Sequence, residues 1–342
     1  MTSRFLRACF REPVDATPVW FMRQAGRYMP GYREVRRGRG VLDIARTPAL
    51  AVPVALEPVR TLGVDAAILF ADIALPLQAM GFPIDIEEGV GPVSAVPVRA
   101  PEDIERLRPF EPAQVPFIPE TIRRLKEKLR GLPLIGFSGA PFTLASYLVE
   151  GRPSKDFART KEFMWSHPDA WAALLRRLAE GMGDYLRLQV EAGAEAVQVF
   201  DSWVGALSPP DYADAVAPAT ASLFRSLRET GVPAIHFGTG TAALLPAMRA
   251  AGGDVVSVDW RQPLDEAWRS LDGAVAIQGN LDPAAMLAPV AVLDAKVDDV
   301  LARAGGRPGH IFNLGHGVLP GTPVDHARRV VERVHARTGG GG

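Results

Sequence analysis

One phrase recurs along the chain: an amphipathic stretch ends at a glycine, two residues follow, and a short run of β-branched and aromatic residues begins. It occurs at Gly63-Val64-Asp65, Gly131-Leu132-Pro133, Gly193-Ala194-Glu195, Gly231-Val232-Pro233 and Gly252-Gly253-Asp254. A glycine closing a helix, followed by a short loop feeding a buried strand, gives this pattern. The strands so predicted cover residues 66–70, 134–137, 196–200, 234–237 and 255–258, and runs at 18–22, 274–278 and 310–314 bring the count to eight. These runs are continuously apolar instead of alternating, as expected when both faces of a parallel sheet are covered. Between them, Trp171, Leu174, Leu175, Leu178, Met182, Tyr185 and Leu186 form a stripe at helical spacing after Pro168. That stripe predicts a helix facing the core.

Eight strands alternating with helical sequence predict an α/β fold, a (β/α)8 TIM barrel in a single domain over residues 1–338. Long spacings before the third and fourth strands place extra helices in the first half. Residues 339–342, all glycine, are expected to form a disordered tail. A doubly wound open sheet is the competing fold, but no G-x-G-x-x-G follows the first strand and no Walker sequence occurs.

Composition narrows the function. With 47% hydrophobic and 23% charged residues the chain reads as a soluble globular protein, and a net charge of −1 leaves no global positive field for nucleic acid or an anionic membrane. Cys9, the sole cysteine, excludes an intrachain disulfide and any metal cage built from several thiolates of one chain. A reducing cytoplasm is the expected compartment. No apolar run approaches the ~20 residues that span a bilayer, and no secretory leader is read at the N-terminus. The six histidines, His167, His236, His310, His316, His326 and His335, include no i,i+4 pair, so no metal site is expected.

In a barrel of this kind the chemistry sits at the C-terminal ends of the strands. The polar residues there are Arg23, Gln24 and Arg27 after the first, Asp72 after the second, Ser138 after the third, and Asp201 and Ser202 after the fourth. His236, Asp259, Asn280 and His316 follow, with His236 read as a strand residue facing the barrel interior. Arg23 and Arg27 present guanidinium forks that pair two-pronged with carboxylates, and Gly26 between them admits close backbone approach. The same loop also reads as solvated basic surface. Asp72 lies within an otherwise apolar run, Ile68 to Pro76, where a charge needs a partner. It is either a structural cap or a negative charge aimed at a cationic or N–H-bearing ligand. Tyr147, on a helix opened by Pro141, packs or turns its hydroxyl into the mouth. Ser202 lacks a G-x-S-x-G elbow, which argues against a hydrolase nucleophile.

The runs Pro18-Val19-Trp20-Phe21-Met22-Arg23-Gln24-Ala25-Gly26-Arg27-Tyr28, Gly136-Phe137-Ser138-Gly139-Ala140-Pro141-Phe142-Thr143, Gln278-Gly279-Asn280-Leu281-Asp282-Pro283 and Asn313-Leu314-Gly315-His316-Gly317 resemble the uroporphyrinogen decarboxylase family. The resemblance extends from Pro18 to the last helix. It implies a homodimeric barrel that, without cofactor or metal, decarboxylates the four acetate side chains of uroporphyrinogen III to give coproporphyrinogen III in haem and chlorophyll biosynthesis. It also implies a substrate site at Arg23, Gln24, Ala25, Gly26, Arg27, Asp72, Tyr147, Ser202 and His316, with Phe70 and Phe200 as apolar walls. Catalysis would fall to Asp72 with Arg23, His316 and Tyr147, the proton donor among them left open.

Three other readings remain in view. A methyltransferase on the same barrel would hold zinc through histidine and cysteine, which one cysteine disfavours. A non-catalytic tetrapyrrole-binding protein would bind without releasing carbon dioxide. A phosphate-processing barrel could use Gly279-Asn280 and Gly315 to Gly317, but leaves the arginine loop without a role.

Overall fold

The computed structural model describes residues 3–87 and 89–340. The helix-ending glycines act as the repeated phrase predicts. Gly63 adopts φ 72° and ψ 33° after the helix Pro48–Leu62, and its N–H donates to the Val59 carbonyl. This left-handed conformation costs a residue with a Cβ about 1–2 kcal/mol, so the helix stops there and the chain turns into the sheet.

The strands are β1 (Ala67–Ile68), β2 (Ile84–Glu87), β3 (Gly91–Ser94), β4 (Leu134–Gly139), β5 (Ala196–Asp201), β6 (Ala234–Gly238), β7 (Val255–Ser257), β8 (Ala276–Leu281) and β9 (His310–Leu314). Seven of them form one curled, wholly parallel sheet in the order β1-β4-β5-β6-β7-β8-β9, while β2 and β3 make a separate antiparallel hairpin. Helices cover its outer face. The longest, Pro168–Glu191, buries Trp171, Leu174, Leu175, Leu178, Met182, Tyr185 and Leu186, the stripe read from sequence. The hairpin, the helices Leu75–Ala79 and Phe117–Leu129 and two 3-10 turns lie between β1 and β4, where extra structure was expected.

Two expectations need correction. Residues 18–22 do not form a strand; Val19 makes a single parallel bridge to Phe312. On one side of this segment the Phe312 N–H donates to the Pro18 carbonyl at 2.8 Å. On the other, the Asp65 N–H donates to the Val19 carbonyl at 2.8 Å and the Asp65 carboxylate accepts from the Val19 N–H at 2.7 Å. A side chain thus takes the place of a ladder partner, and the pattern stays at seven strands plus one extended segment between the sheet's edges. β1 is also shorter than residues 66–70, because the chain leaves the ladder to form a turn closed by Asp72, whose Oδ1 accepts from the Ala74 N–H at 2.8 Å.

Inside the curl runs a buried polar chain. The Trp20 indole N–H donates to Gln278 Oε1 at 2.8 Å, and Gln278 Nε2 donates to Gln198 Oε1 at 3.0 Å and Ser257 Oγ at 2.9 Å. These bonds tie the first segment to β5, β7 and β8 beneath the mouth, while Gln198 Nε2 at the end of the chain of bonds finds no partner among the described residues. At the C-terminus, the Gly339 N–H still donates to the His335 carbonyl. Of the expected tail, Gly341 and Gly342 lie outside the described residues.

Candidate active site

A cleft opens at the C-terminal ends of the strands and encloses about 750 Å³ of empty space, part of it continuous with solvent. Its walls are apolar: Met22, residues 68–71, Ile73, Phe137, Phe200 and Phe237. Phe200 packs edge-on against both Phe137 and Phe237, with ring centroids 5.6 and 5.4 Å away. The polar side chains lining it are Arg23, Asp72, Ser202 and His316.

Arg23 owes its position to two glycines and its own backbone. It holds φ 59°, a left-handed conformation rare for a residue with a Cβ. The turn is fixed from behind by Gln24, whose Oε1 accepts from the Phe21 N–H at 3.1 Å and whose amide donates to the Ala66 carbonyl at 3.1 Å. Asn313 Oδ1 accepts from the N–H groups of Met22 and Leu314, and the Val318 N–H donates to the Met22 carbonyl at 2.9 Å, so the arginine and histidine loops are bonded to each other. A Cβ at Gly26 would lie 2.8 Å from the Arg23 carbonyl oxygen. One at Gly317 would collide with Arg23 Cδ and lie 2.7 Å from its Cγ. The arginine stem fills the space that the missing side chain leaves.

Asp72 sits in the cleft wall, partly exposed to the opening but surrounded by protein. Burial pushes its pKa above the ordinary carboxylate value, opposed by the Ala74 N–H bond and by the positive charge of Arg23. Oδ1 is occupied by Ala74, while Oδ2 makes no hydrogen bond among the described residues. A carboxylate so placed lacks donors and gains from any that a ligand brings.

His316 is neutral at neutral pH. Burial, then the charges of Arg23 and Arg261, push its pKa down to about 4. Its Nδ1 accepts from the Gly317 N–H at 2.7 Å, so the proton of the neutral ring resides on Nε2. Tyr147 is buried on the helix Pro141–Glu150, its ring edge-on to Trp203 at 6.4 Å. Burial pushes its hydroxyl up to about 12, with the Asp72 charge adding to the rise and Arg23 opposing it. Both side chains are therefore neutral hydrogen-bond donors. Ser202 is presented by two hydroxyls: Thr239 donates to its carbonyl at 2.6 Å, and Thr143 accepts from the Trp203 N–H while donating to Asp201 Oδ1 at 3.1 Å.

Arg23, Ala25, Asp72, Ser202 and His316 are thus brought together, with Tyr147 buried nearby and within reach of the charges of Asp72 and Arg23. Gln24 is fully buried in the loop and Gly26 packs under Arg23. Arg27 points away, into a neighbouring groove. His236 is a correction. It does not face the interior of the curl but the helix Ala217–Leu227, its ring 4.8 Å from Phe224, because strand alternation turns Phe237 into the cleft instead. Phe137, Phe237 and Gly317 were missed by sequence reasoning. Phe137 and Phe237 are the last residues of the predicted runs 134–137 and 234–237 and could have been found by applying strand alternation within each run.

Comparison with known proteins gives a consistent result. Residues 1–337 match the sequence model of the family described as uroporphyrinogen decarboxylase (URO-D). A uroporphyrinogen decarboxylase from Sorangium cellulosum is 56% identical over 338 residues, covering 98% of this chain and 97% of that protein. Another, from Streptomyces griseus, is 55% identical over 336 residues, covering 98% and 92%. Among solved structures, a methyltransferase from Methanosarcina mazei superposes with a TM-score of 0.79 over 98% of this chain and 99% of that one. At 20% identity it bears on the fold alone.

Proposed function

This chain belongs to the uroporphyrinogen decarboxylase family, and we infer that it is an enzyme that decarboxylates uroporphyrinogen in tetrapyrrole biosynthesis, converting all four acetates of the III isomer to methyls. The observation that carries the reading is that Asp72 and Arg23 face one largely apolar cleft, the positive charge of Arg23 acting on the buried carboxyl.

Losing carbon dioxide directly from a pyrrole acetate would leave an unstabilised carbanion. Protonating the ring carbon beside the acetate-bearing one creates an iminium-like cation first. The electrons of the breaking C–C bond then flow into the ring as carbon dioxide leaves, the exocyclic carbon takes a proton to become methyl, and the ring carbon gives its proton back. The sum is one proton consumed per carbon dioxide, and the pyrrole itself is the electron sink, so the scheme calls for no cofactor. Asp72 accepts pyrrole N–H bonds at the centre of the macrocycle and stabilises the cation where water is scarce. Arg23 grips a carboxylate, while His316 through Nε2–H, Tyr147 and Ser202 donate hydrogen bonds to others. The phenylalanines pack against the macrocycle faces.

The neutral donors leave a signature in pH. A carboxyl whose pKa is raised in the folded protein is charged only above that raised value, so kcat/KM falls as pH drops through it. Bound pyrrole N–H groups favour the charged form, which moves the corresponding limb of kcat to lower pH. We expect the acid limb of kcat/KM above the usual carboxylate range, the kcat limb below it, and no limb from His316 between pH 5 and 8. Identical limbs in both profiles would contradict the bonding of Asp72 to substrate.

Anaerobic incubation with uroporphyrinogen III, with products separated by carboxylate number, tests the reading. Stepwise loss from eight to four carboxylates is expected; binding without carbon dioxide release would point to a tetrapyrrole carrier. The family resemblance implies a homodimer, which sedimentation of the purified chain would test. The lone Cys9, buried and with its pKa raised by burial, suits a reducing cytoplasm.

A further inference from the structure

Arg27 points into a groove lined by Tyr32, Arg33, Arg36, Arg37, Arg39 and Ile86. The segment from Arg27 to Gly40 holds five arginines and one acid, Glu34. The groove adjoins the cleft: the Tyr32 ring on its wall lies 5.6 Å from Phe70, which lines the cleft on the other side. Among the described residues no acid forms a close pair with Arg27, Arg33 or Arg39. Glu34 meets Arg37 at 3.0 Å in a pair of exposed side chains, an interaction of little strength. Glu57 is held on the N–H groups of Gly31 and Tyr32. On the hairpin, Asp85 and Glu87 alternate with Ile86 and so lie on its opposite face.

Two of these arginines are positioned by neutral backbone oxygens. Arg33 donates to the carbonyls of Arg27 and Tyr28, at 3.3 and 3.0 Å, and Arg39 donates to the Val35 carbonyl at 3.1 Å. Among the described residues Arg27 has no side-chain partner. The cleft itself is lined by one guanidinium, that of Arg23, whereas an octacarboxylate ligand carries many more negative charges than it can meet.

Resting on the function proposed above, we propose that this arginine groove is a docking shelf for polycarboxylate tetrapyrroles, in which Arg37 and Arg39 hold peripheral carboxylates outside the cleft and draw the macrocycle toward Arg23 and Asp72. The shelf sharpens selection by carboxylate number, since each acetate lost removes one charge from its grip. It binds the early substrates most strongly and eases release of the tetracarboxylate product. Salt must weaken it, because exposed charges are screened within about 8 Å at physiological ionic strength.

The test compares the parent with an Arg37→Gln/Arg39→Gln variant, both residues lying outside the hydrophobic core. With uroporphyrinogen III at low salt the variant should show KM raised about three- to tenfold with kcat unchanged, the gap closing in high salt. The gap should also shrink with a pentacarboxylate substrate. A KM ratio near one at low salt, or one that salt does not change, would overturn the shelf. Equilibrium binding of oxidised uroporphyrin, followed by its fluorescence, separates this proposal from the functional one: if the parent released no carbon dioxide, weaker low-salt binding by the variant would still support the shelf, and equal binding would refute it.

Discussion

Replacing Asp72 with asparagine lowers turnover by about a hundred- to a thousandfold, the usual loss when one electrostatic stabiliser of a developing charge is removed. Substrate affinity changes much less, because the apolar walls and the carboxylate grips remain. The same substitution leaves the protein at least as stable as the parent at neutral pH. The sign follows from linkage. Burial raises the Asp72 pKa in the folded state, so its contribution to stability is present at low pH and is lost as pH rises through the folded value. At pH 7 the ionised carboxylate opposes folding, and the amide removes that opposition while retaining an oxygen for the Ala74 N–H. Kinetics beside thermal unfolding separate the two effects. A destabilised Asp72→Asn protein with parental turnover would make the residue a structural cap and remove it from the chemistry.

Gly317→Ala is the second large effect. The added methyl would occupy the space held by the Arg23 stem, colliding with Cδ and approaching Cγ to 2.7 Å and Cβ to 3.1 Å. The Arg23 backbone cannot readily yield, since it is already left-handed and fixed through Gln24 and Asn313. The guanidinium must swing away from the cleft, and misplacing a positioned group by about 1 Å costs on the order of a hundredfold in rate. We expect kcat/KM to fall by about that factor, with a melting temperature close to the parent's because Arg23 is exposed. Activity within a few-fold of the parent would show that the arginine's placement is immaterial. A double variant, Arg23→Ala with Gly317→Ala, should lose no more than Arg23→Ala alone, as expected when both changes act on one group.

Much of this architecture was legible in the chain. The glycine-terminated helices and continuous apolar runs located all seven strands of the sheet, because each phrase couples a local conformational demand, such as the left-handed turn at Gly63, to burial on both faces. The first segment was less legible. Its composition matches a strand, but a carboxylate from Asp65 supplies the bond that a neighbouring backbone would give, and no periodicity encodes that substitution. At the site, Arg23, Asp72, Ser202 and His316 were found from their places after strands. Arg27 was grouped with Arg23 by proximity in sequence, yet the turn at Arg23 sends the two side chains into different grooves. His316 stands where the sequence places it, at the end of the last strand, and its charge state depends on what surrounds it. Two cationic neighbours and burial keep it neutral, a property of tertiary placement alone.

The central claim is that Asp72 receives pyrrole N–H bonds. A porphyrinogen offers four such donors, whereas the oxidised porphyrin core offers two donors and two acceptors, which face a carboxylate unfavourably. The decisive measurement is therefore the equilibrium affinity of the parent and of Asp72→Asn for uroporphyrinogen, read before turnover, and for uroporphyrin. The account predicts that the parent prefers the reduced macrocycle and that asparagine, with a donor as well as an acceptor, narrows that preference by about tenfold or more, a difference of the size expected for a charge-assisted hydrogen bond. An unchanged preference in the variant would contradict it.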